Sequence, residues 1–242
     1  MWNQLLDVFE VFGYPLVLLA AIGSMIASAN VNRTFKRYSS QLSRRGITAA
    51  EAAKRVLSAN GVVDVSVART SGKLTDHFDP RDNTIYLSET VYDSTSTAAI
   101  GVAAHEAGHA VQHAQEYLPI RIRTAIVPVT NIGSRLSMPL ILIGLLLGLY
   151  AENPLGYELA LIGAFCYSLC VIFQLVTLPT EYNASHRAIA ALEEGGILSQ
   201  EELVGARKTL NAAALTYVAA LAVSLMQFLR ILAMVTSSRR RR

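Results

Sequence analysis

Charged residues are scarce in this chain. Asp, Glu, Lys and Arg make up only 16% of its 242 residues, against about 25% in a typical soluble domain. Hydrophobic residues reach 52% and gather into long runs, which excludes an ordinary soluble domain and points to a membrane protein. Cysteine is rarer still. Cys166 and Cys170 are the only two. They stand one helical turn apart in an apolar stretch, badly placed for a disulfide, and read as small packing residues. A disulfide scaffold is therefore excluded. Interleaved aromatic and basic residues are missing, as is any RNA-binding motif, so nucleic acid is not an expected partner. The net charge of +3 comes from basic clusters of the kind that orient a chain in a bilayer.

What the sequence does have is His105-Glu106-Ala107-Gly108-His109, inside TSTAAIGVAAHEAGHAVQHAQ (95–115). Ala, Val and Ile dominate this stretch and Pro is absent, which predicts a buried helix with Thr95 or Ser96 as its cap. Residues four apart share a helix face, so His105 and His109 can grip one Zn²⁺ with Glu106 beside the metal's water. Zinc lowers the pKa of such a water to about 7, and a carboxylate can then take its proton. Gly108 would let another element pack close at this turn. The plainer alternative, two surface histidines, fits poorly with the apolar residues on both sides, because a buried histidine needs a partner or a metal.

The rest of the chain alternates between apolar runs and basic segments. Residues 1–12 read as a short amphipathic start, with Trp2, Phe9, Phe12 and Tyr14 suited to a membrane interface. Residues 14–31 read as an uncleaved anchor. Residues 32–58 carry Arg33, Lys36, Arg37, Arg44, Arg45, Lys54 and Arg55, which marks this flank as cytoplasmic. Thr48 and Glu51 suggest a capping box for a helix that Gly61 ends. GVVDVSVAR reads as a strand, TSGKLTDHFDPRDN as a loop or hairpin, and TIYLSETVY as a second strand. Thr84–Ser88 could be an edge along which an extended peptide pairs, or an ordinary structural strand. Residues 137–151 and 157–178 predict a transmembrane hairpin turned by ENPLG, after which Pro179 breaks the helix. Residues 181–211 predict two polar-faced helices parted at Gly195–Gly196, with Ser199 and Glu202 as a second capping box. Residues 212–235 form a fourth apolar run, interrupted by Gln227 and Arg230, before the terminal RRRR. A complete fourth crossing puts that tail outside, against the positive-inside rule, so a partial crossing is a competing expectation.

Two histidines leave a catalytic zinc one protein ligand short. Glu181, His186, His113 and His77 are the candidates. A helix cannot wrap three turns around one ion, so His113 reads as a supporting or surface residue. Glu181 starts the segment after the hairpin and could reach the ion from a separate helix. For the donor that steadies an oxyanion, Arg187, His186 and His77 are available, with Asn183 as a supporting residue.

The stretches LTDHFDPRDN (74–83), IYLSETVY, AAIGVAAHEAGHAVQHA (98–114), LPTEYNASHRA (178–188) and GARKTLNAAALTYVAAL (205–221) resemble the YugP-like neutral zinc metallopeptidases, a family of bacterial membrane proteins. The order of HExxH, membrane hairpin and E-Y-x-A is more distantly similar to the HtpX membrane proteases. The resemblance implies a gluzincin-like zinc site in which Glu181 is the third ligand. It also shows departures. Asn183 and His186 stand where the family pattern has an acid and a base, and Ser185 stands where the HtpX-like pattern has Asp.

The expected protein is a mainly α membrane protein with a zincin-like α+β catalytic part and a small sheet. Its expected segments are an anchor (1–31), a catalytic part (32–135), a transmembrane hairpin (136–178), helices carrying the third ligand (179–211) and a final apolar helix with a basic tail (212–242). The expected activity is zinc-dependent endopeptidase action on peptide or protein substrates at the cytoplasmic face of the inner membrane, with Glu106 as general base. The rival expectations are a membrane scaffold or chaperone with a structural, four-ligand zinc, and a transporter. The transporter is disfavoured because Arg230 is the only strong ionisable candidate within the spans.

Overall fold

The structure is a computed structural model and describes residues 2–150 and 155–240. The order is α1 (Trp2–Tyr38), α2 (Ala49–Ala59), β1 (Ser66–Thr70), β2 (His77–Asp79), β3 (Thr84–Ser88), α3 (Thr97–Ala114), α4 (Leu118–Tyr150), α5 (Leu155–Glu194) and α6 (Gln200–Arg240). Four of these helices, α1, α4, α5 and α6, are long and apolar enough to cross a membrane. Leu18, Leu19, Met25 and Ile26 of α1, Leu142 and Leu146 of α4, and Phe165 and Leu175 of α5 all stand exposed. Such surfaces are costly in water and suit lipid acyl chains. The fold is that of a mainly helical membrane protein with a small sheet.

The helices are longer than the sequence pattern suggests. The segment edges expected at 31, 135, 178 and 211 all fall inside helices. Pro179 does not break α5, which continues from Leu155 to Glu194. Proline costs a helix interior about 3 kcal/mol. Beyond it, Glu181, Ala184, Ala188 and Leu192 are buried at 2% exposure or less, so packing holds the last turns in place. Pro15 in α1 and Pro128 and Pro139 in α4 likewise lie inside continuous helices. The amphipathic start is the first turns of α1, where Phe9 is buried while Phe12 and Tyr14 are exposed. The ENPLG turn lies mostly outside the described residues, and Leu155 and Gly156 are already helical.

The chain divides into two compact units. The first comprises Met1–Ile26, Ile122–Thr177 and Tyr217–Arg242. In it, α4 and α5 pack antiparallel along a glycine seam. A Cβ at Gly163 would come within 2.8 Å of the Ser137 carbonyl oxygen, and one at Gly156 within 2.6 Å of the Gly144 carbonyl oxygen. Small residues that let backbones meet are how helices associate in lipid. Arg230 of α6 lies over the Tyr14 ring at 3.9 Å and donates to Gln227 at 3.3 Å.

The second unit comprises Ala27–Arg121 and Leu178–Thr216, and α3 is its centre. Ser96, not Thr95, caps α3 by accepting from the Ala99 N–H at 3.2 Å. Helix α2, capped by Thr48, lays Ala49, Ala52, Ala53 and Val56 against the same core as Ala103, Ala107 and Val111 of α3. Ser199 and Glu202 form the expected capping box at the start of α6. The sheet order is β1-β3-β2. β1 runs parallel to β3 with Val67 opposite Ile85, and β2 runs antiparallel with His77 opposite Tyr86. The reading of Thr84–Ser88 as a free edge is therefore wrong. β3 is the central strand, with Ile85 and Leu87 fully buried, and the edges are β1 and β2.

Candidate metal centre

The centre lies within the second unit and starts from the spacing in α3. His105 and His109 project from one face with ring centroids 4.6 Å apart and planes at 84°. Glu181 comes from α5 and is 2% exposed. Its Oε2 lies 3.2 Å from His105 Nε2 and 3.4 Å from His109 Nε2. One ligand atom from each residue falls within 4.8 Å of the other two. Gly108 makes this approach possible, because a Cβ there would sit 2.7 Å from the Ala184 carbonyl oxygen. The backbones of α3 and α5 therefore meet beside the histidines, and Glu181 lies less than one turn before Ala184.

A row of neutral side chains orients the imidazoles. Gln112 Nε2 donates to the Thr180 carbonyl and to Asn183 Oδ1, both at 2.9 Å. Its Oε1 is thereby turned to His109 Nδ1 at 3.0 Å. That contact makes Nδ1 of His109 the donor to the Gln112 carbonyl oxygen and turns Nε2 toward the carboxylate of Glu181. Ser185 Oγ lies 3.1 Å from Nδ1 of His105. Two imidazole nitrogens and a carboxylate oxygen converging on one point form a donor set that fits a divalent cation such as zinc. Glu106 is buried at 9% exposure and has no hydrogen-bond or ion-pair partner among the described residues.

The other expected site residues are not brought to this group. His113 is exposed and meets the Phe78 ring edge-on at 5.8 Å. His77 is exposed, stacks on Tyr86 and holds the Thr75 carbonyl at 2.8 Å. His186 is exposed on α5. Arg187 donates from Nε to Asn183 Oδ1 at 2.7 Å and from Nη1 to Gln115 at 2.6 Å. Two of its nitrogens are thus engaged, one of them with Asn183, the residue that braces Gln112. Asn183 accepts from both Gln112 and Arg187, which explains an amide at that position. Gln112 was missed. Its signal was a polar residue three positions past His109, on the same face of an otherwise apolar helix.

The β2–β3 hairpin packs beside α3 and is held by carboxylates. Asp76 accepts from the Ser88 N–H at 2.8 Å and from its hydroxyl at 3.1 Å. Burial raises the Asp76 pKa above its ordinary value of 3.8, against those hydrogen bonds. Asp79 takes the opposite shift, because hydrogen bonds from the Arg81 side chain and backbone lower it to about 2.

Fold and site together define a helical membrane protein with a His–His–Glu group able to hold a metal. Residues 14–236 match the family described as "Putative neutral zinc metallopeptidase", and the chain belongs to that family. It is 43% identical over 218 residues to the "Putative membrane protease YugP" of Bacillus subtilis (strain 168), covering 90% of this chain and 94% of that protein. No solved structure matches it.

Proposed function

We propose that the protein is a bacterial integral membrane zinc endopeptidase whose metal is held by His105, His109 and Glu181. The observation that carries this reading is a three-residue ligand group next to Glu106, which is buried and has no partner among the described residues. Bound zinc would supply a Lewis acid at an open coordination position. Glu106 takes a proton from the attacking water and hands it to the leaving amine. Gln112 and Ser185 hold the imidazoles in the ligating orientation. An extended substrate would pair along β2, the sheet edge nearer α3, instead of along β3.

A structural zinc normally has four closed protein ligands. Among the described residues the group has three, and His77, His113 and His186 stand outside it. This favours catalysis over the scaffold reading. The basic residues of 33–55 favour placing the second unit on the cytoplasmic side of the plasma membrane.

The test is Glu106→Gln in the full-length protein. Zinc stoichiometry is expected to stay at the wild-type level while peptide hydrolysis is lost, because an amide cannot accept the proton. Retained hydrolysis at full zinc content would remove Glu106 from this role.

A further inference from the structure

A cavity of about 500 Å³ lies in the second unit, bounded by Asn32, Phe35, Lys36 and Ser39 of α1, Lys73 and Leu74 of the β1–β2 loop, and Thr90 and Ser94. No acidic residue lines it. Lys36 and Lys73 are both exposed and have no hydrogen-bond or ion-pair partner among the described residues. Two lysines without an ion-pair partner among the described residues, lining one largely apolar cavity that has no acidic residue, suit an anion with an apolar body. Phe35 and Leu74 add an apolar wall.

The position along α1 says which anion. The apolar run ends at about residue 31, and Asn32, Lys36 and Ser39 follow on one helix face. At 1.5 Å per residue, Asn32 to Lys36 lie about 1.5–7.5 Å past the end of that run. The headgroup layer on each side of a bilayer is about 5–8 Å deep. The cavity therefore opens at the depth of lipid phosphates. On the loop side, Gly72 and Leu74 take positive φ values of 101° and 53°, and Thr75 closes the turn on the Ser71 carbonyl at 2.9 Å. Lys73 stands at the apex of that turn.

We infer that this cavity binds the headgroup of an anionic phospholipid, with Lys36 and Lys73 on the phosphate, the Asn32 amide as a further donor, and Phe35 and Leu74 against the glycerol carbons. A basic residue near a membrane surface is worth about five-fold in affinity for anionic lipid, so the pair is worth on the order of twenty-five-fold.

The full-length protein is to be extracted from bilayers of equal phosphatidylglycerol and phosphatidylcholine, and its retained lipids counted by native mass spectrometry. The wild type is expected to keep phosphatidylglycerol preferentially. Lys36→Gln with Lys73→Gln should lose that preference by roughly ten-fold or more, while Lys36→Arg with Lys73→Arg should keep it. Helix content by circular dichroism should match across all three. Equal retention in the wild type and the glutamine variant would overturn the proposal. So would displacement of the lipid by millimolar inorganic phosphate, which would mark a site for free phosphate.

Discussion

The hydroxyl of Ser185 lies 3.1 Å from Nδ1 of His105, one turn beyond the carboxylate that faces the other nitrogen of the same ring. Helix α5 thus touches His105 from both sides, with Glu181 at Nε2 and Ser185 at Nδ1. Replacing Ser185 by Ala removes the rear contact and should weaken zinc binding about ten-fold, within the range for lost supporting groups. Ser185→Asp should bind zinc at least as tightly as the wild type, because a carboxylate raises the basicity of the imidazole. Competition against a fluorescent chelator measures both. Unchanged affinity in Ser185→Ala would show that the hydroxyl does not orient the ring.

Glu181 and His186 make separable predictions. Glu181→Ala should lose zinc by roughly 10–100-fold or more, whereas His186→Ala should leave metal content unchanged, since His186 is exposed. The reverse pattern by elemental analysis would assign the third ligand to His186.

Gly108 is needed for the approach of α5. A Cβ there meets the Ala184 backbone oxygen at 2.7 Å, and a backbone atom cannot rotate away. Gly108→Ala should destabilise the protein by about 1–3 kcal/mol and weaken zinc binding with it. Gly23 has open space, so Gly23→Ala is a control with little effect. Thermal unfolding followed by circular dichroism distinguishes the two.

The raised pKa of Asp76 sets a pH dependence. A carboxyl whose folded pKa lies above its unfolded value favours the folded state when protonated. That contribution is complete below the ordinary value of 3.8 and is lost as pH rises through the folded pKa. Asp76→Asn keeps an acceptor for the Ser88 N–H and removes the charge. Its melting temperature should equal or exceed the wild type at neutral pH, and the gap should close near pH 3. A variant less stable at neutral pH would mean that the hydrogen bonds outweigh the burial.

Membrane sidedness is open to a direct check. Single cysteines at Arg45 and Leu155 should react from opposite faces of sealed vesicles, Arg45 on the cytoplasmic side. Labelling of both from one face would dismiss the hairpin topology.

The sequence displayed the histidine pair of the candidate centre well and its supports poorly. His105 and His109 were legible because helix spacing alone puts them on one face. Glu181 was legible as a candidate, and the choice among Glu181, His186, His113 and His77 came from resemblance. Gln112 stood out as a polar residue on the His109 face, but its role was hidden because it depends on Thr180 and Asn183, which only the α3–α5 crossing brings near. Pro179 misled because its local cost is real and is outweighed by buried residues on both sides. Thr84–Ser88 stayed open between an edge and an ordinary strand because, although β1 was legible as a strand, no local pattern announces that it pairs parallel with β3.

The buried face that α3 itself presents is built largely from alanine and glycine, residues with little or nothing to remove. Ala98, Ala99, Gly101, Ala103, Ala104, Ala107, Gly108 and Ala110 are all buried there. An ordinary core fails by truncation, when a lost side chain leaves a void. This one fails by growth: a single added methyl at Gly101 would lie 3.1 Å from Ala206, and at Gly108 it would strike the neighbouring backbone. Its tolerance to substitution runs in one direction only. Alanine to glycine costs helix propensity of about 1 kcal/mol, whereas alanine to valine or leucine must push a whole helix aside.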